Sequence, residues 1–371
     1  MTTTRLDKFR TWTNIPLVLI VIALLAYGAL MVHSATSGFG SGAAMFARQM
    51  VGIAIGLGVL VAAWSIDYRK LEGWLGPLVV LNAALVISPR IPGLGSQVSG
   101  ATRWLEVGGV SLFQPSEPAK LLTIVIMAIV ISKFKGRIER GRDVAQVLAY
   151  LALPFGLILL QPDLGTGLVF IAITLGMLLV GGMKPRFFLI LGLVAIVGLG
   201  AVIQLDIIRE YQRDRLLVFL NPEHDTQGAG YNLNQSMIAI GSGGLTGKGL
   251  GQGTQSNLNF LPERHTDFIF SVLGEELGFV GAVVLLLLYL GFLVTALEIA
   301  TSARDLLQSL IAVGLITMWT FHIVQNIGMT IGILPITGLP LPFLSFGSSS
   351  MITNLAGTGM LLSIWARRRA A

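Results

Sequence analysis

Residues 259–281, NFLPERHTDFIFSVLGEELGFVG, carry a polar, multiply charged segment directly into an apolar stretch that continues to residue 299. Such a stretch is typical of a helix that crosses a lipid bilayer, because about 20 apolar residues at about 1.5 Å each span the hydrocarbon core. Asp267 stands at the boundary between the polar and the apolar part. A carboxylate at the edge of a membrane is therefore the first candidate for a functional group.

The composition extends this interpretation to the whole chain. Of the 371 residues, 54% are hydrophobic and 12% are charged, and the mean hydropathy is +0.78, which excludes an ordinary soluble domain. Apolar runs of about 17 to 25 residues favour helices over the short alternating strands of a membrane barrel. The sequence predicts an all-α polytopic membrane protein with one domain over residues 1–371. Because the chain has no cysteine, disulfides and thiolate metal sites are excluded.

Ten apolar runs are predicted to be membrane spans. They cover residues 15–32, 50–66, 75–89, 117–134, 144–161, 166–183, 186–205, 267–299, 306–331 and 346–366. The first run has 18 residues, which exceeds a typical signal-peptide core, so we expect it to be retained. Since ten is even, both termini are predicted on the same side of the membrane.

The basic residues predict which side that is. Sixteen of the 25 Lys and Arg residues lie at the termini or in the short loops on the same side, and five of the other nine lie in one long loop, residues 206–266. Short cytoplasmic loops carry this excess of positive charge, so the termini are predicted to be cytoplasmic. Membrane topology, rather than nucleic-acid binding, thus accounts for the net charge of +6. The outer face is then expected to hold residues 33–49, 90–116, 161–166, 206–266 and 332–345.

Two interpretations of Asp267 follow from its position. A continuous helix would place it on one face with four small residues, Ser271, Gly274, Gly278 and Gly281. Such a face lets another helix or a lipid chain come close to the carboxylate. Alternatively, Asp267 caps the helix that follows. Glu275 and Glu276 lie deeper, and they either face a polar cavity or mark a span that begins near Leu277.

Other polar groups are predicted on the same outer face. Glu117 and Lys120 lie three residues apart at the start of the fourth span, behind Ser116 as a predicted N-cap, and they form either an ion pair or a phosphate contact. Asp163 either caps the sixth span or contributes to a shared cavity. The glycine-rich residues 241–253, GSGGLTGKGLGQG, do not fit the P-loop pattern and predict a tight loop or a backbone contact with phosphate. His322 is interpreted as a buried hydrogen-bonding residue.

Five motifs together resemble one family. They are ATRWLEVGGVSLFQPSEPAK (101–120), QPDLGTG (161–167), GAGYNLNQSMIAIGSGGLTGKG (228–249), FLPERHTDFIFSVLGEELG (260–278) and NIGMTIGILPITGLPLPFLSFGSSSM (326–351). They resemble the SEDS family of bacterial cell-wall proteins, and FLPERHTD and FQPSE are nearer to its elongation branch than to its division branch. The resemblance implies ten spans in the cytoplasmic (inner) membrane and a peptidoglycan glycosyltransferase that polymerises lipid II at the outer face.

The resemblance also implies partners, a cofactor and site residues. It implies a divalent cation (Mg²⁺ or Mn²⁺), a class B penicillin-binding protein as transpeptidase partner, and association with the elongation machinery. Asp267 corresponds to the essential carboxylate. The substrate cavity is expected to include Glu117, Lys120, Asp163, His265, Trp104, Arg48, Arg103, Arg213, Arg215 and Ser345. Asp267, Glu117 and Asp163 are expected to hold the cation, since hard cations prefer carboxylate oxygens.

The chemistry of this reaction agrees with the residue types. Joining a sugar hydroxyl to a lipid-linked pyrophosphate sugar needs a base for the hydroxyl and positive charge for the leaving group. One inversion at the anomeric carbon needs one base, for which Asp267 is our candidate. The alternatives are a flippase for the same lipid, which should carry polar groups through the midplane, a division-branch enzyme, and a scaffold that recruits wall enzymes.

Overall fold

The computed structural model of the protein describes residues 13–98, 101–107, 110–161, 163–204, 228–258 and 260–368. These residues form helices and one small sheet. The helices are α1 (Ile15–Thr36), α2 (Gly42–Ser65), α3 (Leu75–Ile87), α4 (Ser116–Ser132), α5 (Gly141–Leu160), α6 (Leu164–Val180), α7 (Pro185–Gln204), α8 (Ala229–Ser242), α9 (Thr254–Asn257), α10 (Ile269–Thr301), α11 (Leu306–Thr330) and α12 (Ser348–Arg367). The strands are β1 (Gly95–Val98), β2 (Ala101–Val107) and β3 (Val110–Phe113), and 3-10 turns cover Tyr68–Trp74 and Ser88–Arg90.

Within these ranges, ten helices, α1 to α7 and α10 to α12, coincide in position with the ten predicted spans. Six helical stretches have the length and hydropathy of a membrane crossing, and α6 and part of α7 are shorter apolar helices. The chain is therefore mostly helical and multi-pass. The span count of ten and the cytoplasmic position of the termini stay predictions.

A three-stranded antiparallel sheet occupies the segment that we expected to be an outer loop. Its order is β1-β2-β3, and its register pairs Ser96 with Trp104 and Leu105 with Phe113. The all-α prediction missed it because strands of four to seven residues carry too few alternations to stand out from a loop. The sheet leads directly into α4 and places Arg103 and Trp104 ahead of that helix.

Helix α10 is interrupted at Gly278. This residue has φ 63° and ψ −159°, a backbone conformation that is essentially limited to glycine. The continuous helical face from Asp267 to Gly281 is therefore wrong, since Asp267 precedes the helix and Gly278 breaks it. The interruption agrees with the alternative that the crossing begins near Leu277, because 33 residues are more than one crossing needs.

The glycine-rich segment packs against this interruption and satisfies its backbone. Phe279 N donates to Gly244 O (2.9 Å) and Val280 N to Leu245 O (3.0 Å), while Lys248 N donates to Glu275 O (3.0 Å). Left-handed glycines at positions 244, 247, 249 and 251 make the close approach possible. The predicted tight loop with left-handed glycines is confirmed.

Glu275 and Glu276 anchor this loop from inside. Glu275 is fully buried and accepts hydrogen bonds from the loop. Its donors are Lys248 Nζ (2.8 Å), Thr254 Oγ1 (3.1 Å), Gln255 N (2.9 Å), Ser256 N (3.2 Å) and Ser256 Oγ (3.2 Å). Glu276 accepts from Ser34 Oγ of α1 (2.6 Å). Glu275 thus holds the loop, because hydrogen bonds and the counter-charge of Lys248 compensate its burial. Glu276 links α10 to α1 through Ser34.

The described parts of the five segments predicted for the outer face meet at one end of the helices. Arg264 Nε donates to Ala35 O (2.8 Å), Ser345 Oγ donates to Thr266 O (2.6 Å), and Arg103 Nη1 lies 3.6 Å from Asp163 Oδ1. The start of the predicted last span joins them through Phe346 N to His265 O (2.9 Å) and Gln114 N to Ser349 Oγ (3.0 Å). At the opposite end, Ile138 pairs with Met183, and Arg367 reaches the carbonyls of Trp64 and Ser65. These contacts hold residues from several segments together at each of the two ends.

We expect Gly278→Ala to lower the free energy of unfolding by about 2 kcal/mol or more, because alanine is strained at this φ and ψ. Its Cβ would also lie 2.8 Å from Leu245 O. Thermal unfolding of the detergent-purified protein measures the effect. Gly58→Ala is the matched control, since a Cβ there meets no atom within 4 Å. Equal melting temperatures for the two variants would contradict the role of Gly278.

Candidate functional site

The connection between α11 and α12, residues 331–347, lies at the centre of the polar end. It is buried or half-buried except at Ile331 and Ile333, and it is mostly without regular secondary structure. Side chains from α10 and α11 provide donors for its carbonyls. They are Gln325 Nε2 to Pro335 O (2.8 Å), Asn326 Nδ2 to Leu339 O (2.8 Å) and Tyr289 Oη to Pro342 O (2.6 Å), with His322 Nδ1 3.2 Å from Pro340 O. Irregular backbone at membrane depth persists where protein groups satisfy it in this way.

Asp267 faces this connection from the turn before α10. Gly338 has φ +71°, and a Cβ added to it would lie 3.1 Å from Asp267 Oδ2, so the carboxylate and the backbone approach closely. The side chain is half-buried. The N-cap of α10 is Phe268, the residue after Asp267, and Phe268 makes no side-chain capping bond. Phe268 instead packs in a small apolar cluster with Leu261, Met329 and Ile336.

The residues that precede Asp267 are held from three directions. Arg264 is buried, donates to Ala35 O, and places its guanidinium 4.1 Å from the centre of the Phe39 ring. His265 lies between the rings of Phe39 and Phe346, at centroid distances of 5.6 and 5.3 Å. Burial lowers the pKa of the His265 imidazole below its ordinary value, so the ring is neutral at pH 7. Histidine here contributes an aromatic surface rather than a positive charge.

Glu117 and Lys120 form the ion pair that their spacing predicts. Lys120 Nζ lies 2.7 Å from Glu117 Oε1, and both side chains are buried. Lys120 Nζ also lies 3.3 Å from His322 Nε2, whose other ring nitrogen faces Pro340 O. The pair therefore touches the α11–α12 connection through His322. Helix α4 begins at Ser116 with Pro115 as N-cap, so the predicted N-cap at Ser116 is wrong by one residue.

Asp163 is the N-cap of α6, as one of its two interpretations predicted. Its carboxylate accepts from Thr166 N (3.1 Å) and Thr166 Oγ1 (2.9 Å), and Arg103 Nη1 lies 3.6 Å from Oδ1. Gly165 is the second residue of α6, and a Cβ on it would lie 2.8 Å from Thr337 O. This contact brings the start of α6 against the side of the connection next to Gly338.

The remaining predicted residues lie around the same connection or outside the described ranges. Ser345 Oγ donates to Thr266 O (2.6 Å) and accepts from Leu341 N (2.8 Å). Arg48 is exposed at the start of α2, where Ser348 Oγ bonds its carbonyl at 3.4 Å. Trp104 is half-buried in β2, beside Arg103. Arg213 and Arg215 lie outside the described residues.

The structure brings the polar residues to one connection but does not bring the three carboxylates together. Glu117 is paired with Lys120, and Asp163 is paired with Thr166 and Arg103. Among the residues that the structure describes, no three His, Asp or Glu side chains form a cluster that could hold a metal ion. The expected set of Asp267, Glu117 and Asp163 as joint ligands therefore does not fit, because lysine and arginine already neutralise two of its members.

Three residues at this site were not among the sequence candidates. They are Gln49, Arg264 and Asn326, and each is buried. Gln49 bridges Ser345 O (3.4 Å) and Gly347 N (3.1 Å). A buried amide or guanidinium beside an apolar run is costly without a partner, and that cost is the feature by which sequence reasoning could have singled them out.

Helices of membrane-crossing length, with charged groups buried at one end, define a multi-pass membrane protein with a polar site at one membrane edge. A family model described as that of a cell cycle protein, the FtsW/RodA/SpoVE family, matches residues 15–370. The chain belongs to this family, so the resemblance of its motifs is confirmed.

Individual relatives match over nearly the whole chain. The peptidoglycan glycosyltransferase MrdB of Escherichia coli K12 is 40% identical over 371 residues, covering 98% of this chain and 97% of the relative. A probable peptidoglycan glycosyltransferase FtsW of Trichlorobacter lovleyi is 38% identical over 364 residues, covering 96% and 94%. A solved chain, from work on structural coordination of polymerization and crosslinking by a peptidoglycan synthase complex, matches with a TM-score of 0.81 at 32% identity, covering 97% of this chain and 99% of that one.

We expect Lys120→Met to lower the free energy of unfolding by about 3 to 5 kcal/mol, because it leaves the Glu117 charge buried without its partner. The exposed pair of Lys184 and Glu139, at 3.6 Å, gives the matched control. Lys184→Met should change stability by less than about 1 kcal/mol. Chemical unfolding in detergent measures both variants. A Lys120→Met protein as stable as the control would show that the buried pair does not stabilise the fold.

Proposed function

We propose that this protein is a peptidoglycan glycosyltransferase that polymerises lipid II at the outer face of the cytoplasmic membrane. The observation that carries the proposal is the position of the Asp267 carboxylate. It lies at the polar end where the predicted outer segments meet, and hydrogen bonds hold the backbone beside it. Relatives named as peptidoglycan glycosyltransferases support the reaction class over almost the full length of the chain. The wording of FLPERHTD and FQPSE supports a role in elongation and rod shape rather than division.

In the proposed reaction, Asp267 is the general base. It takes the proton from the 4-hydroxyl of the acceptor sugar while that oxygen bonds to the anomeric carbon of the donor. The bond from this carbon to the pyrophosphate oxygen breaks, and the configuration inverts in a single displacement. The polyprenyl pyrophosphate leaves with the bonding electron pair, and no sugar–enzyme bond is needed. A positioned base of this kind contributes about 10²- to 10⁴-fold to a rate.

Positive charge for the departing pyrophosphate comes, in this proposal, from basic residues at the same end. Arg48 is exposed and Arg103 is half-buried, so both are within reach of a ligand. Lys120 is 1% exposed and bound to Glu117, so it would act on the substrate through a rearrangement of that pair. Arg213 and Arg215 stay predicted contributors. His265, Trp104 and Ser345 are assigned to shaping and support of the cavity.

The divalent cation, Mg²⁺ or Mn²⁺, stays a prediction from the family resemblance. Such an ion would add positive charge to the pyrophosphate. Mg²⁺ typically binds one or two carboxylates together with substrate phosphates, so the site does not require three protein carboxylates. We propose Asp267 as the carboxylate that takes part, because it is the one assigned to the reacting atoms.

A class B penicillin-binding protein is the proposed partner, with the wider elongation machinery around it. The similar solved chain comes from a complex that couples polymerization to crosslinking. A polymerase bound to its transpeptidase would release each glycan strand at the place where it is crosslinked. The inner membrane is the proposed location, with both termini in the cytoplasm.

The rival function is a flippase for the same lipid. A flippase needs polar groups along a path through the midplane. The buried charged residues that the structure describes are Glu117, Lys120, Asp163, Arg264, Glu275 and Glu276. All six belong to the end at which the predicted outer segments meet. This distribution favours chemistry at one membrane edge over transport across it.

We expect Asp267→Asn and Asp267→Ala to lower polymer formation from labelled lipid II by about 10²- to 10⁴-fold, because the base is lost. The protein is assayed with its penicillin-binding partner, and glycan length is read on gels. Glu263→Gln is the matched control, since this exposed carboxylate lies four residues earlier in the same segment. It should keep activity within about threefold. Undiminished polymer from the Asp267 variants would contradict the base assignment, whereas lipid transport without polymer would favour the flippase.

Removal of divalent cations by a chelator tests whether polymer formation needs one. We expect EDTA to stop polymer formation and added Mg²⁺ or Mn²⁺ to restore it, because the pyrophosphate would lose part of its neutralising charge. Polymer yield is measured over a series of free-ion concentrations, with the melting temperature followed in parallel. Full activity in EDTA at an unchanged melting temperature would show that the chain's own basic residues suffice.

A further inference from the structure

Two buried side chains tie the backbone on either side of the Asp267 side chain to the α11–α12 connection. Asn326 Nδ2 donates to Asp267 O (2.9 Å) and to Leu339 O (2.8 Å). Ser345 Oγ donates to Thr266 O (2.6 Å) and accepts from Leu341 N (2.8 Å). Each side chain therefore bridges the segment before α10 and the connection opposite it. Between the two bridges lies the place where Asp267 Oδ2 meets Gly338.

Burial of the Asn326 amide costs free energy that apolar packing does not recover. Its side chain is 0% exposed in α11, and its Oδ1 has no hydrogen-bond partner among the described residues. A buried amide with one satisfied and one unsatisfied group is less favourable than leucine of similar volume. The two bonds from Nδ2 are therefore the reason for an amide here, and both of them act on the surroundings of Asp267.

The neighbouring amide provides an internal comparison. Gln325 is also buried in α11, and its Nε2 donates to a carbonyl of the same connection, Pro335 O (2.8 Å). Both residues thus stabilise the connection by the same chemistry. Asn326 differs because its second bond reaches Asp267 O.

We propose that Asn326 is a positioning residue for Asp267. It fixes the peptide of Asp267 at a set distance from Leu339, and this holds the carboxylate against Gly338 in the direction of the acceptor hydroxyl. The inference rests on the proposed function, in which Asp267 is the base. A misplacement of about 1 Å in a catalytic group can cost about 10²-fold in rate, so the loss of the bond should act mainly on turnover.

The test compares two near-isosteric variants, Asn326→Leu and Gln325→Met, in the full-length protein with its partner. Lipid II polymerisation gives kcat and KM, and thermal unfolding gives Tm. We expect both variants to lower Tm, because each leaves a carbonyl of the connection without its donor. We expect Asn326→Leu to lower kcat by about 10- to 100-fold with KM within about twofold. Gln325→Met should keep kcat within about threefold.

Further variants separate the possible outcomes. If Asn326→Leu does not fold, Ser345→Ala loosens the same segment from its other bridge and should lower kcat with KM unchanged. Losses of kcat that match between Asn326→Leu and Gln325→Met, or an Asn326→Leu protein with normal kcat, would overturn the positioning role alone. Wild-type protein without polymerase activity, or an active Asp267→Ala protein, would overturn the proposed function and with it this inference.

Discussion

The backbone of residues 335–345 must find its hydrogen-bond donors inside the protein, because most of it is buried without helical or sheet pairing. Tyr289, His322, Gln325 and Asn326 face its carbonyls from α10 and α11. In a bilayer an unsatisfied carbonyl costs several kcal/mol, so these polar side chains and the irregular segment depend on each other. The structure of the polar end depends on these hydrogen bonds between side chains and backbone.

Asp267 is held in position by hydrogen bonds of the same kind, between buried polar side chains and backbone carbonyls. The carbonyls of Thr266 and Asp267 accept bonds from Ser345 and Asn326, two residues that also hold the connection. Glycine at position 338 leaves room for the carboxylate against the backbone. A carboxylate held in this way needs little reorganisation when it receives a proton, which suits the role of general base proposed for Asp267.

The charged groups around Asp267 are compensated locally. Lys120 neutralises Glu117, Arg103 lies beside Asp163, and Lys248 neutralises Glu275. These pairs explain how a chain this apolar tolerates buried charge at one end. Asp267, Glu117 and Asp163 were expected to share a cation, but they do not form a cluster. Glu117 and Asp163 instead each have a basic neighbour.

The apolar runs were enough to locate the helices and their approximate ends, because about 20 apolar residues have essentially one solution in a bilayer. The polar motifs between them were enough to recognise the family. The sequence also singled out Asp267, since a carboxylate beside such a run is costly. Three features needed the folded chain: Asp267 precedes its helix, Gly278 breaks that helix, and the amide of Asn326 bonds the carbonyl of Asp267. Asn326 and Asp267 are 59 positions apart, and no local spacing encodes a bond between residues that only packing brings together.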